Sequence, residues 1–167
     1  ELLMTPNIQK MIKGVHKNGF KMFTQMDPVP GDPQPDLHRR SRGLGMWKTG
    51  FDGTMTRAYI NHHGPSMVRF DNQKVKDNGV GIGPFNFVLR GPGGVLDTLS
   101  WEGYREGRDD ARYLATLQDA IARAKAAGRH ARLVARTERW LGDITVNADL
   151  DAWRLEMARR TGTLLKP

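Results

Sequence analysis

The densest chemistry in this chain lies in one stretch, WEGYREGRDD at 101–110. Glu102, Glu106, Asp109 and Asp110 stand among Arg105, Arg108 and, just beyond, Arg112. Carboxyls at this density invite an acid/base reading. Glycosidic-bond hydrolysis needs two carboxyls facing each other across a sugar, ~5–10 Å apart. A single helix does not present that arrangement. Helix neighbours three or four apart pair with each other instead, as Glu102 with Arg105 and Asp109 with Arg112. Glu102, Arg105, Glu106, Asp109 and Asp110 therefore read as a structural polar network.

Other residue types suggest other chemistries. His62-His63 suggests a metal, but adjacent side chains rarely converge on one ion. No HExxH or carboxylate spacing accompanies them, so no metal site is expected. GVGIG (79–83) precedes a strand, and GPGG (91–94) lacks the Lys-Ser/Thr of a phosphate cradle; both read as turns. Lys or Arg at 123, 125, 129, 132, 136 and 139 face only Glu138 over that span. That run is the best case for a surface binding nucleic acid or another polyanion. No base-stacking platform or DNA-binding motif accompanies it, so it reads as a solvated helix face.

The elements that must position these residues follow from periodicity. Pro6 suits a first helical turn, with Thr5 as cap. Ile8, Met11, Ile12 and Val15 form one apolar stripe, and Asn18-Gly19 supplies a left-handed stop. A strand is expected near 20–26. The proline-rich loop 27–36 follows, then a helix from Asp36 to about Thr49. Gly43 and Gly45 in that helix mark close packing. Strands are expected near 54–61 and 85–90, separated by a segment without a helical stripe. Helices near 98–127, 131–141 and 150–165 close the chain, the last capped by Asp149. No second domain is evident, so 1–167 is treated as a single segment.

Composition limits the classes. The chain has 167 residues, 38% hydrophobic and 26% charged, with mean hydropathy −0.57. No apolar run approaches the ~18 residues of a membrane span, so no membrane partner is expected. Cysteine is absent, which excludes disulfides, thiolate metal sites and Cys nucleophiles. The net charge of +8 is spread along the chain and favours general anion attraction. The first residue is Glu1, with no leader pattern in the first ten residues. A missing start, and any leader with it, is expected upstream.

Two stretches carry a family resemblance: HRRSRGLGMWKTGFDGTMTRAYIN (38–61) and FNFVLRGPGGVLDTLSWEGYREGRDDARYLATL (85–117). Together they resemble the last part of a glycoside-hydrolase-like barrel, in the uncharacterised group related to glycoside hydrolase family 123. Trp101, Glu102, Arg105, Glu106, Gly107 and Asp110 match its motif. The family's tyrosine is displaced here to Tyr113, and Gly91-Pro92 inverts the usual Pro-Gly order. The resemblance spans roughly 20–165. It implies an α/β fold, the C-terminal part of a (β/α)8 (TIM-like) barrel, with about three strands followed by C-terminal helices. A complete barrel takes ~250 residues, so the expectation is strands six to eight of eight. The substrate class implied is carbohydrate, with no cofactor and with the catalytic acid pair upstream of this chain. The 102–110 network would then fasten the last helix to the barrel.

Barrel chemistry sits at the C-terminal ends of strands. That selects Asp27, Tyr59, Asn61, His62 and Arg90 as candidate substrate contacts. Tyr59 and Asn61 fall on one side of their strand by alternation. An aromatic face suits the C–H face of a pyranose, and an amide suits its hydroxyls. The plainer alternative makes Tyr59 core and the histidines loop surface. Two other functional readings remain open: a non-catalytic basic module on the 123–139 face, and a sugar-binding barrel without catalysis.

Overall fold

The structure, a computed structural model, describes residues 6–25, 34–55, 87–91, 93–145 and 147–166. The chain forms two compact units, Glu1–Gly107 and Arg108–Pro167, where the sequence reading treats it as one segment. The described residues are mostly helical, with one parallel and one antiparallel strand pair.

In the first unit, α1 runs Pro6–Lys17 and buries Ile12. Met11 is half exposed, so the buried stripe is narrower than the expected one. Asn18 closes the helix by donating its side-chain amide to the Gly14 carbonyl at 2.9 Å. Gly19 takes φ 76°, and the Phe20 N–H returns to the Val15 carbonyl at 3.2 Å. β1, Phe23–Thr24, then pairs in parallel with β2, Gly53–Thr54. The register sets Phe23 opposite Gly53 and Thr24 opposite Thr54. Gly53 leaves room for the Phe23 ring, whose Cδ1 lies 2.7 Å from where a Cβ would stand. Backbone bonds extend the pairing at both ends, from Asp52 N to Met22 O at 2.9 Å and from Met55 N to Thr24 O at 2.8 Å.

β1 is far shorter than the expected 20–26 strand, and it is not mostly buried. Phe20 is 69% exposed and Phe23 53%. The physical reason is that the Phe20 N–H still serves the C-terminal cap of α1. The expected strand near 54–61 lies outside the described residues after Met55.

The connection between β1 and β2 is helical. α2 (Pro35–Arg40), a π-helical turn (Ser41–Gly45) and α3 (Met46–Thr49) follow without a break. Asp36 occupies the first turn rather than the cap; Gln34 is the cap residue and its side chain does not cap the helix. A carboxylate there still meets the positive end of the helix. Gly50, at φ 85°, ends the run in the left-handed region.

β3 (Val88–Gly91) pairs antiparallel with β4 (Gly94–Asp97). The strand expected near 85–90 thus has an antiparallel partner, β4, that the sequence reading does not include, ahead of the helix expected near 98–127. Among the described residues the parallel pair is β1–β2 alone, and β3 takes its partner from the next residues of its own hairpin. The connection spans two residues, the length that favours a hairpin.

α4 runs Leu99–Ala126. Thr98 caps it: its hydroxyl accepts from Trp101 N at 3.2 Å and donates to Phe87 O at 2.7 Å. The first turns of α4 lie against α2 and the π turn, backbone to backbone. A Cβ on Gly107 would stand 2.7 Å from the Arg39 carbonyl oxygen and 3.2 Å from Gly43 N. A Cβ on Gly103, one turn earlier, would drive into the Pro35 backbone. Beside this seam, buried Phe87 meets the rings of His38, Trp101 and Tyr104 at 5.8, 5.7 and 5.2 Å. Trp101 and Tyr104 stack at 5.6 Å.

The regular elements of the second unit, among its described residues, are helices: the rest of α4, α5 (Ala131–Asp143) and α6 (Leu150–Leu164). Leu114, Leu117, Ala120, Ile121, Ala124, Val134, Leu141, Ile144, Leu150, Trp153, Met157 and Leu164 are buried apolar residues of this unit. Asp149 caps α6 as expected, accepting from Asp151 N and Ala152 N at 3.0 Å each.

Two predictions follow from the first unit. Gly107→Ala and Gly103→Ala should each destabilise the protein, by the ~1–3 kcal/mol typical of overpacking or more. Gly162→Ala, on α6 with nothing within 4 Å, should instead stabilise by up to ~1 kcal/mol. Urea unfolding of the three variants checks the contrast.

The second prediction concerns Asp52 in the turn before β2. Its carboxylate accepts from Met22 N at 2.8 Å, His16 Nε2 at 2.8 Å and Lys21 Nζ at 3.0 Å. These bonds, the Met22 N–H first, hold its pKa well below the usual carboxylate range. A depressed carboxylate stabilises the fold above its unfolded pKa of ~3.9 and loses that contribution as pH falls toward the folded value. Asp52→Asn should therefore melt lower than wild type at neutral pH. The two melting curves should converge as the pH is lowered through and below the carboxylate range.

Candidate functional site

The parallel pair gives the first unit a defined C-terminal strand edge. Thr24 and Thr54 end the two strands side by side, Thr24 buried. Arg42, 2% exposed, stands in the π turn of the connecting helix and donates Nη1 to the Thr54 hydroxyl. His38 lies one turn earlier, fully buried, with Phe87 against its ring. A buried guanidinium persists only where hydrogen bonds replace its water. Arg42 thus ties the connecting helix to the end of β2. The π turn sets its direction, and such turns recur at functional places in helices.

The chain leaves this edge at Gln25 and Met55. Asp27 is two residues past Gln25 in sequence; Tyr59, Asn61 and His62 follow Met55 within seven residues. All four lie outside the described residues. Arg90 is the one candidate contact that is described, by its backbone. It sits in β3 opposite Val95, one residue before the end of the hairpin strand. It therefore belongs, among the described residues, to an antiparallel pair.

The acidic stretch separates into distinct parts. Glu102 accepts from Arg105 at 3.0 and 3.2 Å, and Asp109 from Arg112 at 2.8 Å. Both are i,i+3 pairs with half-exposed side chains. Pairs of this kind contribute ~0.2–1 kcal/mol. The Glu102–Arg105 and Asp109–Arg112 pairs are those the helical spacing predicts, at exposed positions. Glu106 is half buried. Asp110 is the buried member, 1% exposed, and it accepts from Arg154 Nε of α6 at 2.6 Å. The Arg154 guanidinium also lies over the Tyr113 ring, 5.7 Å from its centroid. Tyr113 thus shares a partner with Asp110.

Sequence reasoning missed Arg42, His38, Asp52 and Arg154. HRRSR offers three arginines in five residues, and only the three-dimensional path selects Arg42 for burial. Arg154 is 44 positions from Asp110, beyond any local pattern.

The basic run also divides. Lys125 pairs with Glu138 at 2.6 Å and Arg123 with Asp119 at 2.8 Å. Arg129 donates to the Lys166 carbonyl at 3.3 Å. Arg132, Arg136 and Arg139 are exposed on α5.

No family model, curated protein or solved structure matches the chain.

Removing the Asp110 carboxylate leaves Arg154 partly buried without that partner. Asp110→Ala should cost about 3 kcal/mol, the low end of the ~3–5 for breaking a buried pair, because Arg154 keeps 23% of its side chain in water. Glu102→Ala should cost less than ~1 kcal/mol. Denaturant midpoints of the two variants check the ranking.

Proposed function

We propose that this chain is the C-terminal part of a carbohydrate-active, glycoside-hydrolase-like (β/α)8-barrel protein. On this reading it supplies one side of the barrel mouth. The observation that carries the proposal is the parallel pairing of β1 with β2 through a helical connection. Successive strands of such a barrel pair in this way, and their C-terminal ends face the ligand. The family resemblance of 38–61 and 85–117 points the same way.

The roles follow from the chemistry of the residues beyond the strand edge. The Tyr59 ring packs on the apolar face of a pyranose, and Asn61 bonds its hydroxyls. Asp27 and His62, which follow β1 and β2 in sequence, add polar contacts. Arg90, on the hairpin, is the weaker member of the set. The acid pair that cleaves the glycosidic bond belongs upstream of Glu1, so this chain binds without turning over. Arg42 positions the β2 end and stays out of the chemistry.

In the complete protein, Tyr59→Ala should weaken sugar affinity about tenfold, equivalent to ~1.4 kcal/mol, with an unchanged melting temperature. Calorimetric titration with substrate oligosaccharide, beside thermal unfolding, checks it. Lost stability with intact affinity would make Tyr59 a packing residue. The purified 167-residue chain should not hydrolyse chromogenic N-acetylhexosaminides or other aryl glycosides; turnover by it would refute the upstream assignment.

A further inference from the structure

The second unit carries a cleft of about 180 Å³ between α5 and α6. It is lined by Leu133 and Arg136 from α5, and by Glu156, Arg159, Arg160 and Thr163 from α6. Three guanidiniums and a single carboxylate therefore face one small space.

The three arginines differ in what already holds them. Arg160 is fixed. Its Nε donates to Glu156 at 2.7 Å and its Nη1 to the Thr137 hydroxyl at 3.1 Å. The same guanidinium lies 4.6 Å from the Trp140 ring centroid. Thr137 is fully buried, which anchors this edge of the cleft to the core. Glu156 is committed to Arg160, so it does not neutralise the other two. Arg136 and Arg159 are exposed and form no ion pair among the described residues. The Thr163 hydroxyl donates to the Arg159 carbonyl at 3.0 Å. That leaves the guanidiniums as the donors for any ligand.

Two uncommitted guanidiniums on facing helices, beside a third locked in place, create an excess positive charge with no internal partner. Guanidinium forks match the oxygens of phosphate and sulfate in paired, directional bonds. A carboxylate is planar and satisfies one fork; donors arriving from two helices suit oxygens that point in several directions. Leu133 adds an apolar wall on which the carbon part of an ester can rest.

We propose that the α5–α6 cleft is a binding site for a tetrahedral oxyanion group, phosphate or sulfate, free or as a monoester. The site is independent of the strand-end reading, since all its residues lie in the second unit.

The test is calorimetric titration of the whole chain at low ionic strength. The probes are inorganic phosphate, inorganic sulfate, and a phosphorylated and a sulfated monosaccharide, with acetate and a short DNA duplex as comparisons. Saturable one-to-one binding of at least one tetrahedral probe is expected, tighter than acetate. Arg136→Gln and Arg159→Gln should each weaken it about tenfold or more, and Arg136→Lys should weaken it too, because the fork is lost while the charge stays. Arg132→Gln and Arg139→Gln, on the same helix outside the cleft, should leave it unchanged. Tighter binding of the inorganic ion identifies a free-ion site, and tighter binding of the sugar ester an ester site. No saturable binding of any tetrahedral probe would overturn the proposal. So would equal losses in all four glutamine variants, or DNA binding that outcompetes the small ions, since both describe a diffuse polyanion face.

Discussion

The close approach of two backbones, α4 at Gly103 and Gly107 onto Pro35–Gly43, is the contact on which the first unit depends. No side chain intervenes, so the helices meet at a separation that only glycine permits. Dispersion across such a seam is small per atom and large in sum. The aromatic cluster around Phe87 closes one side of it and adds ring–ring contacts. Together these fix the direction of the connecting helix, and through it the positions of both parallel strands.

The consequence for function runs through Arg42. The seam holds the α2 and π-turn segment, and the π turn aims the Arg42 guanidinium at the Thr54 hydroxyl. Asp52 fastens the other end of β2, gathering Met22, His16 and Lys21 around one carboxylate. The strand pair is only two residues long, yet it is tied at both ends by polar groups. In sequence, Asp27 follows the end of β1, and Tyr59, Asn61 and His62 follow the end of β2.

Much of this was legible in the sequence, and what was not has identifiable causes. Helices α1, α5 and α6 show the helical period, and α1 and α6 carry stop or cap signals, Pro6 and Asn18-Gly19 for the first and Asp149 for the last. The helix over 36–49 was legible despite two glycines; Gly43 does sit at the close contact with Gly107, whereas Gly45 approaches only the Arg40 backbone of its own helical run. The glycines of WEGYREG were visible too, but their role was not, because a helix pattern does not say which face meets a backbone. β4 escaped because four residues wedged between a turn and a helix cap leave no period to read. The short reach of β1 escaped because Phe20 to Met26 looks like a buried strand while Phe20 is spent on a helix cap. Among the carboxylates, the local i,i+3 pairs were readable and the buried Asp110 was not, since its partner Arg154 comes from another helix. The candidate sugar contacts rest on the strand edge and on the family resemblance, with Asp27, Tyr59, Asn61 and His62 outside the described residues.

The measurement that bears most directly on this account is a proton–proton distance across the glycine seam. At 167 residues the protein suits isotope-labelled NMR, and glycine Hα signals are readily separated. A strong cross-peak between Gly107 Hα and Arg39 Hα is expected, with Gly103 Hα close to Pro35 Hα. If Gly107 Hα sees only protons of its own helix, α4 does not rest on the connecting helix, and the support proposed for the strand edge is absent.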